Sequence, residues 1–366
     1  MRLSASAALL LCATLAPAPA CAQTDSPLTA KLSAAFGPAN AAKVSASADA
    51  LLRRPISALN PVQDALDCFG AAALARTLGA SATARVAADA DALIALSNPA
   101  HTGKAGWSLP IADTAKNCDG PGTAITFETE CNQAGTIFMF ETGLALTCLG
   151  KAYGLTHKAE YLAAAQKAVD ASWTAGGASP DCPNCFAYWY SLNAADVGRY
   201  VRNTNVLMGM GLAALYADTH DPRYAARLTQ IANAERAEMA AHNFGYYGIA
   251  DLRQRRDPGH ERRWIDNHVP YVAKGLYEIG VAIGDPVAQD EAAKVMDVWM
   301  TCRGVDCGNS CAQWGADPAR CMVTQTAAPC FFTKRSDIFK AACQAYLDKA
   351  VKLNGYQIWA VVGGLE

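Results

Sequence analysis

The stretch from His242 to Tyr271 gathers the richest set of chemistry-bearing side chains in the chain. It holds the aromatic residues Phe244, Tyr246, Tyr247 and Trp264, five arginines (Arg253, Arg255, Arg256, Arg262, Arg263) and two histidines, His260 and His268. Aromatic faces stack on sugar rings, and guanidinium forks pair bidentately with carboxylates or phosphates. Together they suit an anionic polymer or a sugar acid. The competing reading is a solvated loop whose arginines pair with Asp251, Asp257, Glu261 and Asp266 of the same stretch.

A second polar cluster runs from Asp196 to Asn205 and contains Arg199, Arg202, Asn203 and Asn205. At a helix N-terminus these would face an anion already favoured by the helix dipole. The cluster reads either as the opposite wall of a cleft or as a capping network. Just upstream, Tyr188, Trp189 and Tyr190 form a sugar platform or a packed loop. Glycoside hydrolysis needs two carboxylates facing each other across the bond. Asp64, Asp67, Glu128, Glu130, Glu141, Asp196 and Asp266 are available, and no spacing singles out a pair; Glu128 and Glu130, in a polar loop, are the best placed. G-x-S-x-G, a P-loop, G-x-G-x-x-G after a strand and H-E-x-x-H are all absent from the sequence, which sets aside hydrolase-fold esterases, nucleotide enzymes and zincin proteases.

These clusters must be held by helices. A helical hairpin recurs three times, at Leu144–Trp173, Met208–Met239 and Val272–Met300, with turns near residues 154–157, 219–222 and 284–286 and a period of about 65 residues. Leu162, Ala165, Val169 and Trp173 line one face of a helix. Asp221 then Pro222, and Asp285 then Pro286, are an N-cap followed by proline at the first helical position, where its missing N–H costs nothing. A degenerate copy occupies Ala65–Leu96, with its turn at Gly79–Ser81, and Ile338–Ala350 supplies a further helix. A hairpin that cannot bury its own apolar face stacks on copies of itself, which predicts an all-α fold of stacked helical hairpins. Met208-Gly209-Met210-Gly211 predicts close helix–helix approach. Strand signals are confined to Tyr356–Val362, which equally suits a helix.

The N-terminus, MRLSASAALLLCATLAPAPACA, predicts a secretory signal peptide cut after Ala22 and a periplasmic or secreted, soluble protein. Pro19 and Ala18 stand where a lipobox would need a leucine-like residue, so lipid anchoring is not expected. The mature chain has a formal charge near −3, from −2 less Arg2, and no basic signature for nucleic acid. Residues 23–57, rich in Ala and Ser, predict a loosely attached N-terminal arm before a helical domain over 58–366. Of the fourteen cysteines, twelve lie beyond Ala22. An even number in an exported chain predicts disulfides. Six of them crowd the region 302–343 as a disulfide-rich C-terminal insertion. Cys118/Cys131 and Cys182/Cys185 fall in loops. Cys68 and Cys148 fall in helices, as buried thiols or as a pair. Phe186 after Cys185 excludes a c-type haem there, and no metal or cofactor is predicted.

Helix pairs with this punctuation resemble the six-hairpin α/α toroids of secreted carbohydrate-active enzymes, over roughly residues 60–300. The resemblance implies an α/α toroid; with about four hairpins legible, a partial one. Asp266-Asn267-His268 followed by Tyr271 is similar to the N-N-H-x-x-Y element of alginate-lyase-like toroids. That implies Asn267 neutralising a uronate carboxylate, His268 removing the adjacent proton, and Tyr271, Tyr246 or Tyr247 returning one to the leaving oxygen. Arg202, Arg255 and Arg263 would hold carboxylates, and Trp264 and Trp189 would stack on sugars. Here the first Asn of the element is Asp266, which needs an arginine partner before an anionic substrate can approach. The expectation is therefore a polysaccharide lyase on an acidic polysaccharide or oligosaccharide. A glycoside hydrolase on the same fold and a non-catalytic glycan- or protein-binding array are the alternatives.

Overall fold

A computed structural model describes residues 26–57, 60–97, 105–108, 136–179, 182–242, 249–251, 269–301 and 327–365. Among them the chain forms twelve α-helices and four short strands. Helices α1 (Pro27–Phe36) and α2 (Pro38–Arg53) precede the hairpin α3 (Pro61–Leu78) and α4 (Ala80–Leu96). Three further hairpins follow: α5 (Met139–Thr156) with α6 (Ala159–Ser172), α7 (Arg202–Thr219) with α8 (Pro222–His242), and α9 (Val269–Ile283) with α10 (Pro286–Thr301). The last two helices are α11 (Asp337–Lys349) and α12 (Gly355–Gly363), the former preceded by a 3-10 segment at Ala328–Phe332.

The hairpin turns match the expected positions and share one device, a residue of positive φ just past the first helix. Gly79 (φ 59°) and Gly284 (φ 67°) do this without steric cost. His157 (φ 54°) and His220 (φ 52°) do it in two copies of one pentapeptide, Tyr153-Gly-Leu-Thr-His157 and Tyr216-Ala-Asp-Thr-His220. In each copy the His N–H donates to the Tyr carbonyl, and the two rings meet edge-on, at 6.0 and 5.7 Å between centroids. The preceding Thr hydroxyl donates four residues back, at 2.7 and 2.8 Å.

Helices α3, α5, α7, α9 and α12 form an inner ring, and α4, α6, α8, α10 and α11 stand outside it. Close approach depends on small residues: a Cβ at Gly150 would lie 2.8 Å from the Cβ of Ala214, and one at Gly211 would lie 2.6 Å from that of Leu146. This is the expected role of the Met208–Gly211 run. The ring closes through α12. Gly355 packs on the backbone of Leu66 and Asp67, Trp359 meets Phe69 at 4.9 Å, and Tyr356 meets Tyr271 of α9 at 5.2 Å. The protein is therefore a closed α/α toroid. The strand-like Tyr356–Val362 is helical because Asn354 and Gln357 form a capping box at its start. Its residues look strand-like because every side of an inner helix is buried, which erases helical periodicity.

The N-terminal region is no loose arm. Leu28, Leu32, Phe36, Val44 and Leu51 are buried, and Asn40 donates to Asp348 at 2.7 Å while Ser47 accepts from the Leu353 N–H at 3.1 Å. Small Ala side chains let these helices pack closely, and they tie the start of the described chain to its end. Cys68 and Cys148 are bonded, joining α3 to α5 with Cα atoms 5.8 Å apart. Cys330 and Cys343 are bonded in the C-terminal region. Cys182 and Cys185 are bonded on a strand rather than a loop. That strand, β2 (Cys182–Tyr188), pairs antiparallel with β1 (Gly176–Ser179), and β3 (Arg199–Val201) pairs antiparallel with β4 (Ile249–Asp251). The signal segment, Cys118, Cys131 and residues 302–326 lie outside the described residues. No described helix is long and apolar enough to cross a membrane.

Candidate active site at the N-terminal mouth of the ring

The inner helices run in parallel. Gly143 packs on Leu207 and Gly150 on Ala214, then Val206 on Gly275 and Gly209 on Ile279, so residue numbers rise together from helix to helix. Each short turn therefore lies at the C-terminal end of an inner helix. The long connections, residues 97–138, 173–201 and 243–268, all reach the N-terminal end. There the helix dipoles present their positive ends, which favours an anionic ligand.

The rim is stitched from these connections. Leu192 N–H donates to Ile137 O at 2.9 Å, Met139 N–H to Tyr190 O at 3.0 Å, and Phe138 N–H to Trp107 O at 3.0 Å. Pairing of β3 with β4 sets Arg199 opposite Asp251 and Val201 opposite Ile249. This joins two segments that are far apart in the sequence, so residues 199–201 and 249–251 share one rim.

Tyr271 sits in the first turn of α9, only 7% exposed, between Phe140 of α5 (6.0 Å) and Tyr356 of α12 (5.2 Å). Burial pushes its phenol far above the usual tyrosine value. It therefore stays protonated at any working pH. Tyr356 is raised by the same cause, with Tyr271 adding to it.

Arg202, the first residue of α7, is 1% exposed and donates from Nε to Glu235 of α8 at 2.9 Å. Asn205 donates to the other Glu235 oxygen at 3.2 Å and accepts from the Tyr188 N–H at 3.1 Å. This is the capping-network reading of the cluster: it locks β2, α7 and α8 together behind the mouth. Trp189, at the end of β2, is half-buried, and its N–H donates to Ala175 O at 2.9 Å. Asn267, His268, Tyr246, Tyr247, Arg255, Arg263 and Trp264 lie outside the described residues, as do Glu128, Glu130 and Asp266.

Among the carboxylates, Asp67 is absorbed by Arg54 at 2.8 and 2.9 Å and by Arg85 at 3.4 Å. Asp196 accepts from the Ser191 hydroxyl. Glu141 differs. It stands one turn into α5, 4% exposed, with Oε2 unpartnered, and burial pushes its carboxyl up to about 8. Asp64, near the start of α3, also leaves Oδ2 unpartnered and is raised to about 6, mainly by burial. Both belong to the seven carboxylates that spacing alone does not separate. The one sequence signal for Glu141 is an acid inside the apolar run Ile-Phe-Met-Phe-Glu-Thr-Gly. No described group of three or more His, Cys, Asp or Glu side chains is placed to hold a metal.

The family model of the D-glucuronyl C5-epimerase C-terminus matches residues 125–270, from the connection before α5 to the first turn of α9. Several solved structures share the ring. A D-mannose isomerase superposes with a TM-score of 0.59 at 13% identity, covering 89% of this chain and 96% of that one. A sugar epimerase from a ruminal bacterium gives 0.52 at 10% identity, covering 79% and 74%. An inactive variant of the α-1,6-mannanase of a Salegentibacter species, in complex with α-1,6-mannotriose, gives 0.53 at 10% identity, covering 84% and 88%. The fold is the α/α toroid of carbohydrate-active proteins. At these identities the likeness speaks for the fold alone. No curated protein sequence matches the chain.

Proposed function

We propose that this toroid is an exported enzyme that removes the C5 proton of a uronosyl residue in an acidic polysaccharide, at the N-terminal mouth of its inner ring. The carrying observation is the match of residues 125–270 to the C-terminal model of a uronate C5-epimerase. That span includes Glu141, Arg202 and the whole arginine- and aromatic-rich stretch up to Pro270. Once the substrate carboxylate is neutralised, the C5–H bond can break, leaving its electron pair delocalised into the carboxyl group. In this reading Asn267, Arg255 and Arg263 neutralise the carboxylate and His268 takes the proton. Tyr271, whose burial holds it as a phenol, returns a proton to the other face and so inverts C5.

Elimination is the second reading, favoured by the Asn267-His268-x-x-Tyr271 element. The same carbanion would expel the C4 oxygen, with the Tyr271 proton going to that leaving oxygen. Hydrolysis is a third, favoured by the unpartnered carboxyls of Glu141 and Asp64. The Cys68–Cys148 bridge supports an oxidising compartment and hence export.

One experiment separates the three. The mature protein is incubated in deuterium oxide with heparosan, alginate, polygalacturonate and hyaluronan. Deuterium entering C5 without chain cleavage is the expected result. Ultraviolet absorbance of unsaturated uronate would shift the reading to elimination, and new reducing ends without that absorbance would shift it to hydrolysis. Absence of all three signals from folded protein would remove the proposal.

A further inference from the structure

The far end of the ring holds a cavity that the mouth chemistry does not use. It has a volume of about 190 Å³ and opens among the C-terminal parts of α5, α7 and α9 beside α12. Small residues make the space: Gly150, Ala214 and Ala217 stand where larger side chains would fill it. One wall is Trp359, 4% exposed and fixed by Phe69 at 4.9 Å and Phe331 at 4.6 Å. Lys151 also lies over its ring at 5.9 Å, so what little of the indole reaches the cavity is a fixed apolar patch, and contact with it orders no loose side chain.

The polar lining is Thr147, Lys151, Asp218 and Glu278. Glu278 is ion-paired to Lys274, whose ammonium lies over Phe331 at 4.3 Å and Trp359 at 5.0 Å. Burial works against the Glu278 charge, yet Lys274 and Lys151 together hold its carboxyl below the ordinary value. Two ammonium groups thus stand against two carboxylates. The three helices that end here add the negative ends of their dipoles. A further anion finds no net attraction, whereas hydroxyls find both acceptors (the Asp218 and Glu278 carboxylates) and a donor, the Lys151 ammonium. Beside them is the fixed apolar patch of Trp359.

We propose that this cavity is a second carbohydrate site, taking a single neutral pyranose and distinct from the mouth where the anionic chain is read. Hydrogen bonds from sugar hydroxyls to Asp218 and Glu278 would hold it, with apolar contact to the small residues and to the exposed patch of Trp359. Binding here requires no turnover, so it stands or falls apart from the activity proposed for the mouth.

The test is calorimetry and saturation-transfer NMR on the mature protein with D-glucose, D-mannose, D-galactose and N-acetyl-D-glucosamine, with D-glucuronate as the charged control. Two variants sit on the exposed lip of the cavity, Ala217→Phe to fill it and Asp218→Asn to remove a charged acceptor without changing shape. At least one neutral sugar is expected to bind, to weaken about tenfold or more in each variant, and to bind unchanged in His268→Ala. Glucuronate is expected not to bind. The proposal fails if none of the four sugars binds, if both variants bind as the parent does, if glucuronate binds equally, or if His268→Ala abolishes binding and so places the sugar at the mouth.

Discussion

The two ends of the toroid are built differently from the same helices. At the C-terminal end of the inner ring, each hairpin turns within one or two residues around one residue of positive φ. At the N-terminal end, the connections run through residues 97–138, 173–201 and 243–268 and carry their own strand pairs. The short turns set which helices pair and admit little variation. The long connections are free to carry side chains chosen for a ligand, the usual division between scaffold and site. Where the mouth meets the bore, buried groups with perturbed ionisation accumulate, among them Tyr271, Tyr356 and Glu141. A concentration of such groups is expected where a protein does proton chemistry.

If this division is right, the largest effect belongs to His268→Ala, which removes the base proposed for the mouth. Loss of a general base lowers turnover by roughly 10²–10⁴-fold. The melting temperature should not move. A folded variant that keeps its full rate of deuterium exchange would remove chemistry from this end.

Next comes the bridge that binds α3 to α5. Cys68–Cys148 closes a loop spanning a sequence separation of 80 residues. Replacing both cysteines by serine should cost about 3–4 kcal/mol through the freed unfolded chain. Denaturant titration reads this directly, and an unchanged midpoint would mean that helix packing alone closes the ring.

Glu141 provides a pH signature for the mouth. Its folded-state carboxyl titrates at about 8 against an ordinary 4.5, so folding takes up a proton between those values. A raised carboxyl favours the fold while protonated, and that contribution disappears as pH rises from about 4.5 to about 8. Asp64, raised to about 6, slopes in the same sense over a narrower window. Stability should therefore fall on going from pH 5 to pH 8, by a few kcal/mol at ~1.4 kcal/mol for each tenfold change in proton affinity. Glu141→Gln should flatten most of that slope and raise stability at pH 8. A variant whose stability still falls steeply with pH would deny Glu141 its buried, unpartnered state.

How much of this was legible follows the same division. The hairpins were legible because their turns carry local signals, Gly79, Asp221-Pro222 and Gly284-Asp285-Pro286, and their outer helices keep an amphipathic period. The closure of the ring was not. Helix α12 is buried on every side, so Tyr356–Val362 shows no period and looks like a strand. Helices α1 and α2 bury mostly alanine, which looks like a loose arm. Arg202 showed that it sat at a helix N-terminus but not which way it pointed, because its partner Glu235 lies 33 residues away on the neighbouring helix. The β3–β4 pairing that joins two distant segments of the rim rests on three residues per strand, too few to leave a pattern.

The smallest effect probes the quiet end. His157 and His220 hold left-handed backbone that costs a non-glycine residue roughly 1–2 kcal/mol, and each offsets part of that by its edge contact with Tyr153 or Tyr216. Replacement by glycine removes both the strain and the contact, so stability should change by less than about 1 kcal/mol. Replacement by alanine removes the contact and keeps the strain, so each site should lose about 1 kcal/mol relative to glycine. Neither change should alter deuterium exchange at the mouth, because these turns lie at the opposite ends of the same inner helices. A glycine variant that lowered catalysis without lowering stability would show that the turns do more than return the chain, and the contrast between a structural end and a chemical end would have to be redrawn.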